Sequence, residues 1–537
     1  MPMSRPDLSS ERGVAMIIVL LALVAGTMVS AVALAAASGD LPFARDSQDR
    51  KQAYAAAEAG LEYYLFQLSQ DNDYWTRCTN VPAPSASEPS PINQRWNGQG
   101  TVDPRRWRKV PGSTAEYTIE LMPAGTNGTC IAGQADATFL DRSTGTFRIR
   151  STGRANGITR SVVSTMRRSS FLDYLYFTDL ETQDPAVYSS SSDREDAAGN
   201  CVQPRAGRNA IRGTFDCEEI QFSGEDAIRG PFHTNDDILT CGSTTLGREV
   251  GTDEGERPEG SPPDAVEVSG PGGWKNASGC SGQPDVQGTW VNPVNTLTMP
   301  TSNASLATVA LPAYRYTGRT TIVLDGSVMD VTNSAGQVFN DVPLPSNGVI
   351  YVGNGSCTGT HTPLLASYNE SAGCANLTLR GTYARSLTIA SANDIVINGD
   401  VRMANGSDTV LGLIANNFVR VQHRVQSRSG STSCTNSTPV LQDVTVQAAI
   451  LTLNHSFLVD NFACGARMGT LTVKGAIAQR FRGPVGTTRP TGYTKNYMYD
   501  DRLKYRSPPY FLDPVSAAWK VARANEQVPA TALRRAG

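Results

Sequence analysis

The sequence predicts an α+β protein with a long N-terminal helix that crosses a membrane and continues as an amphipathic helix. A small antiparallel sheet and then a mainly-β domain follow it. Three observations predict this class: residues 14–37 carry no charge, apolar and polar residues alternate in short runs between residues 115 and 166, and β-rich runs with polar corners recur from about residue 171. The 49 glycines and 31 prolines in 537 residues indicate many turns, as short strands require.

The composition excludes several classes of protein. Hydrophobic residues make up 39% of the chain, which is too many for a disordered protein and few for one thick globular core. The 47 basic and 50 acidic residues leave a net charge of −3, so we expect no nucleic-acid partner.

The uncharged segment of residues 14–37 is long enough to span a membrane. As a helix it is about 36 Å long, and the hydrocarbon layer is about 30 Å thick. A cleaved secretory signal that ends at Ala35-Ala36-Ala37 is the alternative interpretation. Basic residues on both sides do not decide the orientation, but all the cysteines follow the segment, which indicates that the chain after it lies outside the cytoplasm.

The helical pattern continues beyond the membrane segment to about residue 70. Pro42 predicts a soft point, because proline lacks an amide donor and crowds the preceding turn. The apolar stripe that follows has the spacing of an amphipathic helix: Ala53, Ala57, Leu61, Tyr64 and Leu68. A membrane anchor followed by a helix packed on its own domain would show the same pattern.

Two sequence features flank the apolar segment. An Arg12-Gly13 pair stands directly before it, and RDSQDRKQAYAAAEAGLEYYL follows it. Together they resemble the N-terminal region of PilX-type minor pilins over about residues 11–70, most specifically at residues 55–62. The resemblance implies a leader of residues 1–13, which prepilin peptidase cuts between Gly13 and Val14, and a mature N-terminus that is often methylated. It also implies a pilin-like fold, in which a long helix lies against a small sheet.

One position departs from the pattern of major pilins. These carry a glutamate at the fifth mature position, which can neutralise the free amine of a neighbouring subunit, and here that position is Ile18. A charge buried in lipid without its partner is costly. The resemblance therefore implies a tip or initiating minor pilin, or a chain that stays in the membrane, and not a repeating shaft subunit.

The first β-rich part completes the pilin-like domain, which we expect to cover residues 38–170 with the transmembrane helix at 14–37 before it. An Asn156-Gly157 pair predicts a tight hairpin turn. Strands are expected on either side of this turn and before it, at residues 115–121, 146–150 and 160–166.

The second β-rich part, residues 171–490, is predicted to be an exported parallel β-helix or another solenoid. Many runs of three to five apolar residues with polar corners favour it, and a large β-sandwich is the competing fold. Residues 243–300, rich in glycine, proline and charge, are interpreted as an excursion from this domain. Residues 491–537 form a C-terminal segment.

The ten cysteines are even in number, widely spaced and without a Cys-x-x-Cys pair, which favours disulfides over a zinc or redox site. Ten buried, reduced thiols are the alternative. Pairing of sequence neighbours suggests Cys201–Cys217, Cys241–Cys280, Cys357–Cys374 and Cys434–Cys464, which leaves Cys78–Cys130.

Candidate catalytic groups are few. The best cluster is His233, Asp236 and Asp237, which could bind a metal or act as acid and base, although such a run is more often a polar turn. Four further aspartates lie near predicted strand ends: Asp325, Asp330, Asp394 and Asp400. Motifs for nucleophilic hydrolysis, phosphate binding and zinc proteolysis are absent from the sequence. We therefore expect no catalytic, cofactor or metal site, and no enzyme.

These observations predict a single-pass membrane protein with an extracytoplasmic C-terminal domain, acting in assembly and in surface display or adhesion in a type IV pilus or related secretion filament. The expected partners are the membrane, other pilin subunits, the pilus assembly platform, prepilin peptidase, and a surface glycan or protein as ligand. Two alternatives are a membrane-anchored β-helix enzyme that acts on carbohydrate and a tethered adhesin with no pilus role. Leader processing and turnover of polysaccharide would separate the three.

Overall fold

The structure is a computed structural model of the chain. It describes residues 11–71, 74–77, 107–122, 140–141, 146–204, 215–224, 226–248, 263–358, 361, 363–364, 368, 370–427, 434–487, 491–504, 506–515 and 519–527. The chain divides into two compact units. The first holds Met1–Phe139, Phe147–Thr165 and Arg523–Gly537, and the second holds Leu140–Thr146 and Met166–Ala522.

The first unit begins with one long helix, α1, which spans Glu11–Gln70 and is followed by a 3₁₀ turn at Tyr74–Arg77. The helix is continuous through Pro42, because the single hydrogen bond that a proline lacks does not end the helix around it. The prediction of one helix to about residue 70 is confirmed. Its predicted apolar stripe is also confirmed, since Ala53, Tyr64 and Leu68 are fully buried.

A five-stranded sheet completes the first unit. Its strands, in spatial order, are β1 (Arg108–Lys109), β2 (Glu116–Met122), β3 (Thr146–Ala155), β4 (Ile158–Arg168) and β33 (Trp519–Gln527). The pairs β1–β2 and β2–β3 are antiparallel. Asn156 and Gly157 both have positive φ between β3 and β4, so the predicted two-residue turn is confirmed.

The second unit is built mainly from short strands. They are β5 (Tyr176–Gln183), β6 (Phe222–Ser223), β7 (Ala227–Arg229), β8 (Phe232–Thr234), β9 (Ile238–Cys241), β10 (Thr245–Leu246), β11 (Ala265–Val268), β12 (Trp274–Asn276), β13 (Asp285–Val286), β14 (Thr289–Val291), β15 (Arg315–Thr317), β16 (Thr320–Gly326), β17 (Val328–Thr332), β18 (Val338–Pro343), β19 (Val349–Gly353), β20 (Leu377–Tyr383), β21 (Leu387–Ser391), β22 (Ile395–Met403), β23 (Leu411–Ala415), β24 (Val419–Val421), β25 (Val425–Ser427), β26 (Cys434–Asn436), β27 (Thr445–Thr452), β28 (Phe457–Val459), β29 (Thr470–Arg482), β30 (Gly486–Thr487), β31 (Thr491–Gly492) and β32 (Thr494–Tyr499). Helices are short, at Ser191–Asn200 and Ser305–Val309, with 3₁₀ turns at Phe171–Asp173, Pro185–Val187, Pro312–Tyr314 and Asp501–Lys504.

Most of these strands pair in parallel, and the pairs join into long ladders. One ladder runs β15–β19–β21–β23–β27–β29–β5–β8–β11–β14. A second runs β16–β20–β22–β27–β29–β32–β7–β10–β13, and a short third runs β22–β24–β28. Antiparallel β17 and β18 extend the second ladder beyond β16. A β-sandwich would instead be made of antiparallel sheets.

The order of strands in the ladders is not their order in the chain. The chain enters in the middle at β5, runs to β14, and resumes at β15 at the other end of the first ladder. The connection is residues 292–314, which follow the ladder: the amide of Leu297 donates to Asn235, and the Asn303 side chain donates to the Ser391 carbonyl. Met299 and Leu306 are buried in a cluster with apolar residues of β5, β21, β23 and β27.

The expectation that residues 243–300 leave the β domain is wrong. Strands β10, β11, β13 and β14 lie in the parallel ladders, where Val266 and Val268 are fully buried. Each strand here has only two to four residues, so the sequence shows no apolar run long enough to reveal it. Strand β32, in the expected C-terminal segment, likewise pairs with β29 and β7.

Four disulfides cross-link the second unit: Cys201–Cys217, Cys241–Cys280, Cys357–Cys374 and Cys434–Cys464. They are the four pairs of sequence neighbours suggested above. The fifth suggested pair, Cys78–Cys130, lies outside the described residues.

Candidate functional site

The N-terminal half of α1 is an exposed apolar helix. Within it Ala15–Val32 has a mean hydropathy of 2.6, and none of that stretch is buried in the protein. Apolar side chains such as Val29 and Val32, each 70% exposed, need a nonpolar surrounding, which lipid or other apolar helices can supply. Gly13 and Val14, the residues of the expected leader cleavage, fall in the first turn of this helix.

The C-terminal half of α1 packs on the small sheet through a seam of small residues. A Cβ atom added to Gly153 of β3 would come within 3.0 Å of backbone atoms of Ala53 and Ala57. One added to Gly60 would come equally close to side-chain atoms of Ser151 and Tyr117. Glycine is required at position 153 because the helix backbone approaches the sheet so closely, whereas at Gly60 the neighbouring atoms belong to side chains. Residues 55–62 carried the sequence resemblance, whereas Gly153 gave no signal in the sequence.

The three residues of the predicted His233 cluster have separate structural roles. Asp236 accepts a hydrogen bond from the Glu181 amide (3.0 Å), and Asp237 accepts from the amides of Gly272 and Gly273 (2.8 and 2.9 Å). His233 is buried, with its Nδ1 2.9 Å from Glu267 and its Nε2 3.1 Å from Asn235. The two carboxylates hold the backbone by accepting its amide hydrogen bonds. This agrees with the alternative interpretation of the run as a polar turn.

Three of the four aspartates near strand ends accept backbone hydrogen bonds or form ion pairs. Asp330 accepts the Asp341 amide, and Asp400 accepts the Thr445 amide and pairs with Arg402. Asp325 is exposed on β16. Asp394 alone belongs to a larger cluster, described next. Within the described ranges, no group of three or more His, Cys, Asp or Glu side chains is arranged to hold a metal ion.

A buried network of charged side chains surrounds Arg420 of β24, whose side chain is 1% exposed. Arg420 pairs with Asp394 (3.1 Å), Asp460 (2.9 Å) and Glu370 (2.7 Å). Asp394, Arg420 and Asp460 lie at or next to successive strands of the third ladder, β22, β24 and β28, while Glu370 comes from the disulfide-closed segment Cys357–Cys374. The network therefore attaches this segment to the ladder. Of its residues, only Asp394 stands out in the sequence, because the others come together only in the fold.

His361 joins the same network from the disulfide-closed segment. Its Nε2 lies 3.1 Å from Asp460, and its Nδ1 lies 3.5 Å from Glu370. Burial and the Arg420 charge oppose protonation, but the hydrogen bonds and charges of the two carboxylates outweigh them and raise the pKa of His361 to about 9. Burial would raise the pKa of Glu370, yet His361 and Arg420 lower it to about 2.

We expect the network to make stability depend on pH at the alkaline side. The folded pKa of His361, about 9, lies above its ordinary 6.5, so its contribution is complete below pH 6.5 and is lost as pH rises through about 9. At about 1.4 kcal/mol per pKa unit, roughly 3–4 kcal/mol would be lost over that window. Melting temperatures of the solubilised chain across this range check the expectation.

A matched pair of variants isolates His361. His361→Gln should flatten the alkaline loss of stability, because the titrating group is gone. His423→Gln should leave the slope unchanged, since burial lowers the pKa of His423 and this ring does not gain a proton on folding. Equal slopes in the wild type and in His361→Gln would contradict the assignment.

Comparison with known proteins adds little. No family model and no curated protein sequence matches the chain. Three solved chains match in structure comparison, among them the competence-associated pilin ComZ from Thermus thermophilus, at 14% sequence identity over 89% of this chain and 97% of that one, with a TM-score of 0.26. A TM-score this low does not establish a shared fold.

Proposed function

We propose that the protein is a minor pilin-like component of a type IV pilus or related secretion filament, acting in assembly and in surface display or adhesion. The observation that carries the proposal is the two-part helix α1. Its first half is apolar and exposed, and its second half is fixed to an antiparallel sheet by the small-residue seam at Ala53, Ala57 and Gly153. Such a helix can hold the protein in a membrane and present an apolar surface to other helices.

The absence of a charge at position 18 is the basis for the position that we propose within a filament. Ile18 lies in the exposed apolar half of α1, so no carboxylate is available there to pair with a neighbour's terminal amine. The proposal therefore assigns the protein to a tip or initiating position, or to the membrane, and not to the repeating shaft. The sequence over about residues 11–70 resembles that of PilX-type minor pilins.

The second unit would be the displayed part. We propose that its parallel ladders form a solenoid, on which successive repeats stack and bury a narrow apolar core. The disulfides support its location outside the cytoplasm, because disulfides persist in oxidising compartments. The proposal assigns it no catalysis, since most of the residues singled out in the sequence hold turns or form ion pairs.

Processing of the leader tests the proposal. Gly13→Leu should block cleavage, because a bulky side chain at the cleaved bond obstructs a peptidase that accepts glycine. Ala37→Leu is the matched control: it would block signal peptidase at Ala35-Ala36-Ala37 but should not affect prepilin peptidase. Both variants are expressed with prepilin peptidase, and the intact mass is measured. Cleavage lost in Ala37→Leu and retained in Gly13→Leu would contradict the pilin assignment.

A further inference from the structure

A pocket lies in the second unit beside β22. The first residues of this strand pair with β24, and its later residue Val401 pairs with β27. Its volume is about 200 Å³. Its polar side is formed by Asn398, Gln422, Arg424 and Ser437, and its apolar side includes Leu441 and Met468. Among the described residues that line it, none is acidic.

Arg424 is the cation of this pocket. Its guanidinium lies over the ring of Tyr368, 4.8 Å from the ring centroid, and it forms no ion pair with a carboxylate of the described residues. Buried arginines of the second unit differ in this respect: Arg420, Arg248 and Arg482 each form an ion pair with a carboxylate. Arg424 thus keeps its hydrogen-bond donors for a ligand.

The Arg420 network holds the ring on which Arg424 lies. The Tyr368 hydroxyl donates to Asp460 (2.6 Å) and accepts from the His423 amide (2.8 Å). Asp460 is in turn fixed by Arg420. The ring is therefore positioned before any ligand arrives, and an arginine that is stacked in advance loses less entropy on binding.

His423, which also lines the pocket, contributes no charge. Its Nε2 lies 3.1 Å from Asn436 Oδ1, which also accepts the Ala466 amide, so Nε2 is the donor. Burial lowers the pKa of this imidazole, which keeps it neutral. Arg424 is left as the single charged side chain among the described residues that line the pocket.

We propose that this pocket binds an acidic saccharide, with the Arg424 guanidinium on the carboxylate and with Asn398, Gln422 and Ser437 on hydroxyl groups. The planar guanidinium matches a carboxylate with two parallel hydrogen bonds. Amide and hydroxyl side chains both donate and accept, as sugar hydroxyls do. The apolar side of the pocket suits the C–H face of a sugar ring. The proposal names a ligand for the displayed unit and rests on the proposed display function.

Two other polymers fit the pocket less well. An extended peptide binds by adding to an open strand edge, whereas this pocket is walled by side chains of the turns around residues 422–424 and 437–441. Single-stranded nucleic acid needs a track of cations with aromatic rings for its bases, and the described residues that line the pocket offer one cation.

The test is binding of fluorescently labelled oligogalacturonate to the full chain in detergent, measured by anisotropy. Arg424→Gln should weaken binding at least about tenfold, as expected for one lost charge-assisted pair. Tyr368→Phe should weaken it less, because the ring remains but its anchors to Asp460 and His423 are lost. Arg319→Gln, at another exposed arginine, is the matched control and should bind as the wild type does. Melting temperatures confirm that each variant is folded.

Competitors test the class of ligand. Methyl-esterified oligogalacturonate, which lacks only the charge, should not compete, and polyglutamate and DNA should compete much more weakly than the unlabelled saccharide. Equal competition by the ester or by polyglutamate or DNA would overturn the proposal, as would unchanged binding by Arg424→Gln. Leader cleavage is measured independently, so failure of this proposal and failure of the pilin assignment are distinguishable.

Discussion

Replacing Arg420 with leucine is expected to lower the free energy of unfolding of the second unit by about 3–5 kcal/mol, the cost of breaking a buried ion cluster by removing one member. The substitution would leave the fully buried carboxylates of Asp394 and Asp460 without their shared cation, along with the largely buried Glu370. Hydrogen exchange of peptides that cover residues 395–421 would report the loss. Exchange there should rise together with that of the disulfide-closed segment Cys357–Cys374, which the network attaches.

Arg402→Leu is the matched control. Arg402 lies in a neighbouring strand and pairs with Asp400, but both side chains are 46% exposed. Surface ion pairs of this kind contribute about 0–1 kcal/mol, so this variant should remain close to the wild type. Similar losses in the two variants would mean that burial does not determine the effect, and the account of the network would be wrong.

Gly153→Val is expected to detach the second half of α1 from its sheet. The new side chain would occupy space now taken by the backbone of Ala53 and Ala57, which cannot rotate away. Overpacking typically costs about 1–3 kcal/mol, and a backbone obstacle places this site at or above the upper end. Hydrogen exchange of residues 53–68 should increase, while that of the second unit should not change.

Two further glycine variants give a graded series. Gly60→Ala meets side-chain atoms of Ser151 and Tyr117, which can shift, so a smaller effect is expected. Gly26→Ala has nothing within 4 Å and should not affect the packing of the helix on the sheet. Equal exchange in Gly153→Val and Gly26→Ala would show that the close approach of helix and sheet is not needed for their packing.

The sequence predicts which residues form strands better than which strands are neighbours. The apolar runs at residues 377–379, 395–397 and 419–421 are all strands with buried side chains, because alternation and burial are local properties. The pairing of β29 with β5 joins residues about 300 positions apart, and nothing local in either strand specifies the other. The return of the chain through residues 292–314 follows from that pairing and was therefore not predictable.

The candidate sites show the same limit. The small residues of Ala53 to Gly60 are visible as a helix pattern, but Gly153 matters only because the fold brings it against them. Arg420 stands between two valines in a short run, which predicts an outward and solvated side chain, and yet it is among the most buried in the chain. Its three acidic partners come from distant segments, so only the folded ladder shows that they surround this arginine.

The mature N-terminus tests the central claim most directly. The chain is recovered from membranes of cells that contain prepilin peptidase, and its N-terminal residues are sequenced. The pilin assignment predicts a chain that begins at Val14, directly after Gly13, with the apolar half of α1 retained. A chain that begins at Ser38 would show ordinary secretion with loss of the apolar helix, and would contradict the assignment.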